Sequence, residues 1–266
     1  MSKQSPPVGA AIFAALQESD AYEKVRAARK VARDWRRGSS AFAFPQAMPE
    51  RPGRPERPEL LAPRMMPKRG RGQSLKGRIA LFHAIAHIEF VAIDLALDIV
   101  GRFGGEMGQA FIADFLAVAA EEAMHFALIE RHLASMGAGY GDLPVHDGLW
   151  QSAAETVHDP GARLAVVPMV LEARGLDVTP AMLDRVRAQG DLRGARILQR
   201  ILDDEIRHVA AGARHFESYC RDRGLEADSH WKMLVARHFH GTLRPPFNDS
   251  ARLAAGLSRE LYAGVA

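Results

Sequence analysis

Glu89 is followed 33 residues later by Glu122 and, three further on, by His125; Glu172 is followed 33 residues later by Glu205 and, again three further on, by His208. What surrounds these residues restricts the fold. Phe82, Ile85, Ala86, Ala92, Ile93 and Ala96 stand three, four or seven positions from Glu89, and Glu122 shares the same kind of stripe with Phe115, Val118, Ala119, Phe126 and Ile129. Glu205 has Leu198, Ile201, Leu202 and Val209 at those offsets, and Glu172 has Ala165, Pro168, Met169 and Leu176. Residues so spaced lie on one face of a helix, so each glutamate is expected to point into an apolar interior. An ionised carboxylate there is costly unless it finds a cation or a proton. The sequence thus predicts at least four core helices, each carrying an acid that needs a partner.

A separation of three stacks the Glu and His of each Glu-x-x-His on one helical face. Two lone glutamates and two such pairs form the ligand set of two-metal carboxylate sites in four-helix bundles. Four carboxylates and two imidazoles suit iron and manganese. A single Glu-x-x-His arises often by chance, and a lone core Glu more often meets an arginine; the duplicated spacing favours two metal ions held by Glu89, Glu122, His125, Glu172, Glu205 and His208. Glu121 competes with Glu122 for His125, but its surroundings are less apolar. His83 and His87 fall off the Glu89 stripe and read as hydrogen-bonding core residues. His132 and His215 read as packing, and His238 and His240 lie outside the bundle. Asp94 and Asp204 are candidates to orient an imidazole.

The rest of the chain reads as helices joined by loops. One helix is expected from Val8 to Arg37. Prolines from Pro45 to Pro67 forbid a regular helix there and suggest an extended strap over residues 44–70. Helices follow over 75–101, stopping at Gly101, then from Glu106 to Met136, from Leu149 to His158 and from Pro160 to Arg174. Thr179-Pro180 opens another helix, Ile197 to Tyr219 lies in a long one, and two more occupy the tail. No run alternates as a strand would. The expected fold is all-α: a segment of residues 1–73 comprising the N-terminal helix and strap, a four-helix bundle over 74–220, and a C-terminal helical extension over 221–266. Gly175, three residues after Glu172, should either distort the helix beside that ligand or simply end it.

The formal charge is +3, with cations gathered at Lys24, Arg26, Arg29, Lys30, Arg33, Arg36 and Arg37 and again at Lys68, Arg69, Arg71, Lys76 and Arg78. Such clusters serve as solvated faces or bind nucleic acid. The single cysteine, Cys220, excludes an intramolecular disulfide and a thiolate zinc cluster and fits a reducing cytoplasm. No apolar run is expected to approach the ~20 residues of a membrane span, and the start lacks the order of a secretory signal. The expectation is a cytoplasmic protein with no membrane partner.

The strings Pro52-Gly-Arg-Pro-Glu-Arg-Pro-Glu-Leu60, Ala86-His-Ile-Glu-Phe-Val-Ala-Ile-Asp94, Glu121-Glu-Ala-Met-His-Phe126, Leu171-Glu-Ala-Arg-Gly-Leu-Asp-Val-Thr-Pro180 and Asp204-Glu-Ile-Arg-His-Val209 resemble the DUF455 family of ferritin-like proteins. Tyr140-Gly-Asp-Leu-Pro144 and Pro246-Phe-Asn248 belong to the same pattern. The resemblance spans nearly the whole chain. It implies a ferritin-like fold and a di-metal role for the six residues above, and it delivers no substrate. The expected cofactors are two metal ions, iron first, with manganese or a mixed pair as alternatives. The expected activity is an O2-dependent oxidoreductase, a monooxygenase or oxidase, acting on a small organic molecule or, by fold-level analogy with tRNA-hydroxylating relatives, on tRNA. A separate electron donor would serve it, and a homodimer is allowed. Phe82, Phe115, Phe126 and Met169 are candidate pocket walls. The alternatives are a ferroxidase or storage protein and an interaction protein with a structural metal.

Overall fold

The computed structural model describes residues 5–67 and 74–264, so the expectations for Lys68, Arg69 and Arg71 and for the first four residues lie outside it. The protein is all-helical. Among the described residues no strand forms, and a lone parallel bridge joins Leu60 to Val145. The backbone falls into two compact units, Met1–Gly148 and Leu149–Ala266.

The first unit is built on a helical hairpin, α3 (Leu75–Met107) and α4 (Gln109–Ser135), with α1 (Val8–Gln17) and α2 (Ala21–Arg36) packed on it. The single N-terminal helix expected over Val8–Arg37 is therefore two. The break is chemical: the Asp20 carboxylate caps α2 by accepting from the N–H groups of Tyr22 and Glu23, both at 2.9 Å. α3 also runs past the expected stop at Gly101 and ends at Gly108, whose φ of 88° turns the chain. Gly101 serves packing instead, since a Cβ there would come within 2.3 Å of the Met48 sulfur.

The strap earns its place on this hairpin through polar anchors. Lys24 Nζ is fully buried and donates to the carbonyls of Leu16 (3.3 Å) and Gly53 (2.7 Å) and to Asp94 Oδ1 (2.7 Å). Arg54 reaches Asp94 Oδ2 at 2.9 Å, and Arg102 donates to the Pro49 carbonyl at 2.6 Å while holding Asp98. Burial pulls the Lys24 ammonium below its usual pKa and pushes the Asp94 carboxyl above its own, each opposed by the charge of the other. A pair this deeply buried fixes position more than it adds stability.

The expectation that no apolar run reaches membrane length is corrected. α3 holds a window of mean hydropathy 1.7 that is long and apolar enough to cross a bilayer, and 72% of that window is buried inside the protein. Its packing against α1, α2 and α4 makes it the core helix of its unit.

The second unit repeats the hairpin. One arm begins with α6 (Pro160–Val166), passes through a π-helical segment (Val167–Glu172) and continues as α7 (Ala173–Ala188); the other is α8 (Leu192–Asp222). The short α5 (Gly148–Ala154) precedes this arm, and α9 (Ala227–His238), α10 (Asp249–Ala254) and α11 (Arg259–Ala263) follow. Gly190, at φ 76°, makes the turn. Of the two outcomes expected at Gly175, the stop does not occur, since the helix continues through it and through Thr179-Pro180, where a fresh start was expected; a distortion does occur beside Glu172, in the π-helical segment that ends there. Pro180 has no N–H for the carbonyl of Leu176, four residues back. Asn248 supplies the missing donor through its side-chain amide, at 3.1 Å. The backbone N–H of Asn248 binds Asp177 Oδ1 at 3.0 Å, and Arg252, 1% exposed, clasps both oxygens of Asp177 at 2.8 and 2.7 Å. The segment after Arg244 thus replaces what the proline removes. Across the hairpin, Gly212 lies against the Pro168 ring, with room for no Cβ.

Removing the carboxylate of Asp177 would strand the Arg252 guanidinium in the interior. Asp177→Ala is expected to cost about 3–5 kcal/mol, measured by urea denaturation; a loss below about 1 kcal/mol would show that the pair does not hold the C-terminal segment.

Candidate metal centre

The two hairpins explain the spacing of 33. Glu89 lies 19 residues before the turn at Gly108, and Glu122 and His125 lie 14 and 17 after it. Glu172 lies 18 residues before Gly190, and Glu205 and His208 lie 15 and 18 after it. Equal travel down both arms of an antiparallel pair brings the lone glutamate level with the Glu-x-x-His turn of its partner helix.

In the first unit this juxtaposition is direct. His125 Nδ1 donates to Glu89 Oε2 at 3.0 Å and, less closely, to Glu122 Oε2 at 3.4 Å. Glu89 is 3% exposed, and Glu122 and His125 are fully buried. Each offers a ligand atom within 4.8 Å of the others', the arrangement of a cluster able to hold a metal ion. Glu121, the competitor for His125, is only half-buried.

The electrostatics follow from that burial. Loss of water, then the nearby charge of Glu122, raises the Glu89 carboxyl well above the ordinary carboxylate range. Burial pulls the His125 imidazolium down, but hydrogen bonds to Glu122 and Glu89 and their charges outweigh it, and its pKa rises to about 11. Burial thus favours protonated forms of this cluster, and a metal cation would supply the same compensation. Two carboxylates and an imidazole can hold a metal ion, whose binding would displace the protons they carry.

In the second unit Glu205 is 8% exposed and His208 1% exposed, and His208 Nδ1 lies 3.8 Å from Glu205 Oε1. Glu172 departs from expectation because it is only half-buried. The helical wheel assumed 3.6 residues per turn, whereas the π-helical segment ending at Glu172 is wider and rotates everything after it. Gly175 stands one turn further along α7, within regular helix, where glycine costs about 0.5–1 kcal/mol relative to alanine.

The other polar residues serve the scaffold. His87 Nε2 faces the His146 carbonyl at 3.2 Å and so carries the hydrogen, leaving Nδ1 to accept from the Tyr140 hydroxyl at 2.9 Å. Burial pulls the pKa of His87 down to about 3, which keeps it neutral. His83 Nε2 accepts from the backbone N–H groups of Gly141 (3.0 Å) and Leu143 (3.3 Å). These two histidines hold the loop after α4, as their position off the Glu89 stripe suggested. Asp94 is taken up by Lys24 and Arg54, contrary to its expected role with an imidazole. Asp204 accepts from Arg200 (2.5 Å) and Arg207 (2.6 Å). His132 packs edge-on against Phe82. Phe82, Phe115, Phe126 and Met169 are all core residues. Tyr140, singled out in sequence only as part of the family pattern, packs its ring against Phe90 and Phe126.

Each unit thus carries a helical hairpin with a lone glutamate on one arm and a Glu-x-x-His on the other. The family model described as "Protein of unknown function (DUF455)" matches residues 17–263, and the chain belongs to that family. A Haemophilus influenzae relative, named as an uncharacterized protein, is 41% identical over 224 residues, which cover 81% of this chain and 77% of its own. No solved structure matches the chain.

In metal-free protein, His125 should remain an imidazolium at pH 7 by ¹⁵N NMR, and Glu122→Gln should lower its titration by at least one unit, because an opposite charge has been removed. A neutral His125 at pH 7 in the wild type would contradict the geometry.

Proposed function

We propose that this protein is a ferritin-like di-metal carboxylate oxidoreductase, in which Glu89, Glu122, His125, Glu172, Glu205 and His208 hold two metal ions, iron foremost and manganese or a mixed pair otherwise. The observation that carries the reading is the burial of Glu89, Glu122 and His125 as one cluster, combined with the repetition of its pattern in the second hairpin. A pair of reduced irons supplies the means to activate O2. The chain's own residues do the rest. Four carboxylates balance the charge of two divalent ions, and the imidazoles of His125 and His208 give each ion one neutral donor. Phe82, Phe115 and Phe126, buried on the same helices, add to the apolar interior around these residues. With a single cysteine the chain carries no thiolate cluster of its own, so electrons come from a separate donor.

The substrate is an organic molecule, small or presented on tRNA, in a cytoplasmic setting with no membrane partner. A homodimer is compatible with this reading. A second reading, a structural metal without O2 chemistry, draws support from the complete burial of Glu122 and His125.

Metal content per chain, followed by anaerobic reduction and exposure to O2, separates the two. About two irons per chain and an absorbance change on O2 exposure are expected. Tightly held metal that ignores O2 would favour the structural reading, and protein without metal would refute both. Glu122→Ala and Glu205→Ala are each expected to lose at least one metal while circular dichroism remains helical; two metals retained in both variants would overturn the ligand assignment.

A further inference from the structure

Six cations form one line along α2. Arg26, Arg29, Lys30, Arg33, Arg36 and Arg37 are all exposed, and their spacing repeats the helical period. At about 100° and 1.5 Å per residue they occupy an arc of roughly 120° and a length of about 16 Å. Two carboxylates answer them. Glu23 pairs with Arg26, and the half-buried Asp34 accepts from Lys30 at 2.6 Å and lies 3.6 Å from Arg33. Arg29, Arg36 and Arg37 meet no acid among the described residues. Exposed pairs of this kind add little to stability, so the fold itself does not account for the line.

The line ends at an aromatic ring held in solvent. Phe42 is 45% exposed. Its ring lies 6.4 Å from that of Trp35, on the last turn of α2, and 5.8 Å, edge-on, from that of Phe44. Its backbone is pinned on both sides, because the carbonyls of Ala41 and Ala43 accept from the N–H groups of Val8 and Gly9, each at 3.0 Å. Gly9 permits this approach, since a Cβ there would come within 2.8 Å of Phe44. The first unit therefore fixes a phenyl ring that it does not bury.

Charge and ring together select the partner. Cations in a row beside a fixed aromatic suit a strand of phosphates whose bases are free to stack. A duplex offers the phosphates but not the base faces. An anionic bilayer would need the apolar face of the helix to enter it, and that face, with Ala21, Val25, Ala28 and Val31, is buried where α2 packs on α1 and α4. We infer that this surface of α2 binds single-stranded nucleic acid, the cations lying along its phosphates and Phe42 under a base. The inference stands apart from the metal reading, because it uses no ligand residue.

The test is the anisotropy of a labelled single-stranded RNA of about 15 nucleotides, titrated with the full chain at several salt concentrations. Wild type is expected to bind at low salt and to weaken as salt rises. Replacing the three unpaired arginines together, Arg29→Ala, Arg36→Ala and Arg37→Ala, should weaken binding about tenfold or more and reduce the logarithmic salt slope by about two, since each lost phosphate contact removes about 0.7. Phe42→Leu keeps an apolar side chain but loses the ring face; it should weaken binding about fivefold or more with the slope unchanged. An unchanged urea midpoint in both confirms that the fold is intact. Removing the same charge from exposed arginines of the second unit, by Arg185→Ala, Arg193→Ala and Arg196→Ala, should leave affinity nearly unaltered. Equal losses in the two triple variants would show attraction by net charge alone and overturn the site. So would no binding at low salt, wild-type affinity in either variant of the site, or tighter binding to duplex or to anionic vesicles than to the single strand. A DNA strand of the same sequence identifies the sugar, and none of these results bears on the metal assignment.

Discussion

Glu89 and Glu122 place two carboxylates side by side where water cannot screen them, and the rest of the first unit is arranged around that repulsion. His125 answers it directly from one turn along α4. The answer works only if the two helices stay in register, since a slip of one residue rotates a side chain by about 100°. The strap enforces this from outside: Lys24 and Arg54 converge on Asp94, five residues beyond Glu89 on α3, and the Tyr140 loop closes over His83 and His87. Two polar systems therefore occupy different faces of α3. One leaves a charge to be neutralised, and the other fixes the helix that carries it.

How much of this could be read in advance depended on whether each feature was local. The burial of Glu89, Glu122 and Glu205 was legible because apolar neighbours at helical offsets betray a buried acid, and the repeated spacing because a hairpin converts equal arm lengths into one number. Gly101 was misread as a stop because glycine looks the same in sequence whether it ends a helix or admits a neighbour; at Gly175, where a stop or a distortion was expected, the helix continues and the distortion lies just before it, in the π-helical segment. At Gly101 the deciding residue was Met48, more than fifty positions away. The exposure of Glu172 was illegible for another reason. A π-helical segment adds residues to a turn, and nothing in Val-Pro-Met-Val-Leu-Glu announces it except a proline that cannot complete regular α-helical bonding.

The charged aspartates show the same limit. Asp94 and Asp204 were expected near imidazoles because they lie near the ligands in sequence. Asp94 instead found a lysine seventy residues away, and Asp204 found arginines one turn to either side. Proximity along a helix says which face a residue occupies but not which distant segment will cover that face.

Pro180 gives the fold an order in time. The helix bearing Glu172 contains a proline whose lost hydrogen bond is made good by Asn248, and an aspartate whose charge is answered by Arg252, 75 residues downstream. A ribosome releases the N-terminal hairpin with all its anchors long before it reaches those residues. The first hairpin can settle during synthesis, while the second waits until the chain has been made almost to its last helix.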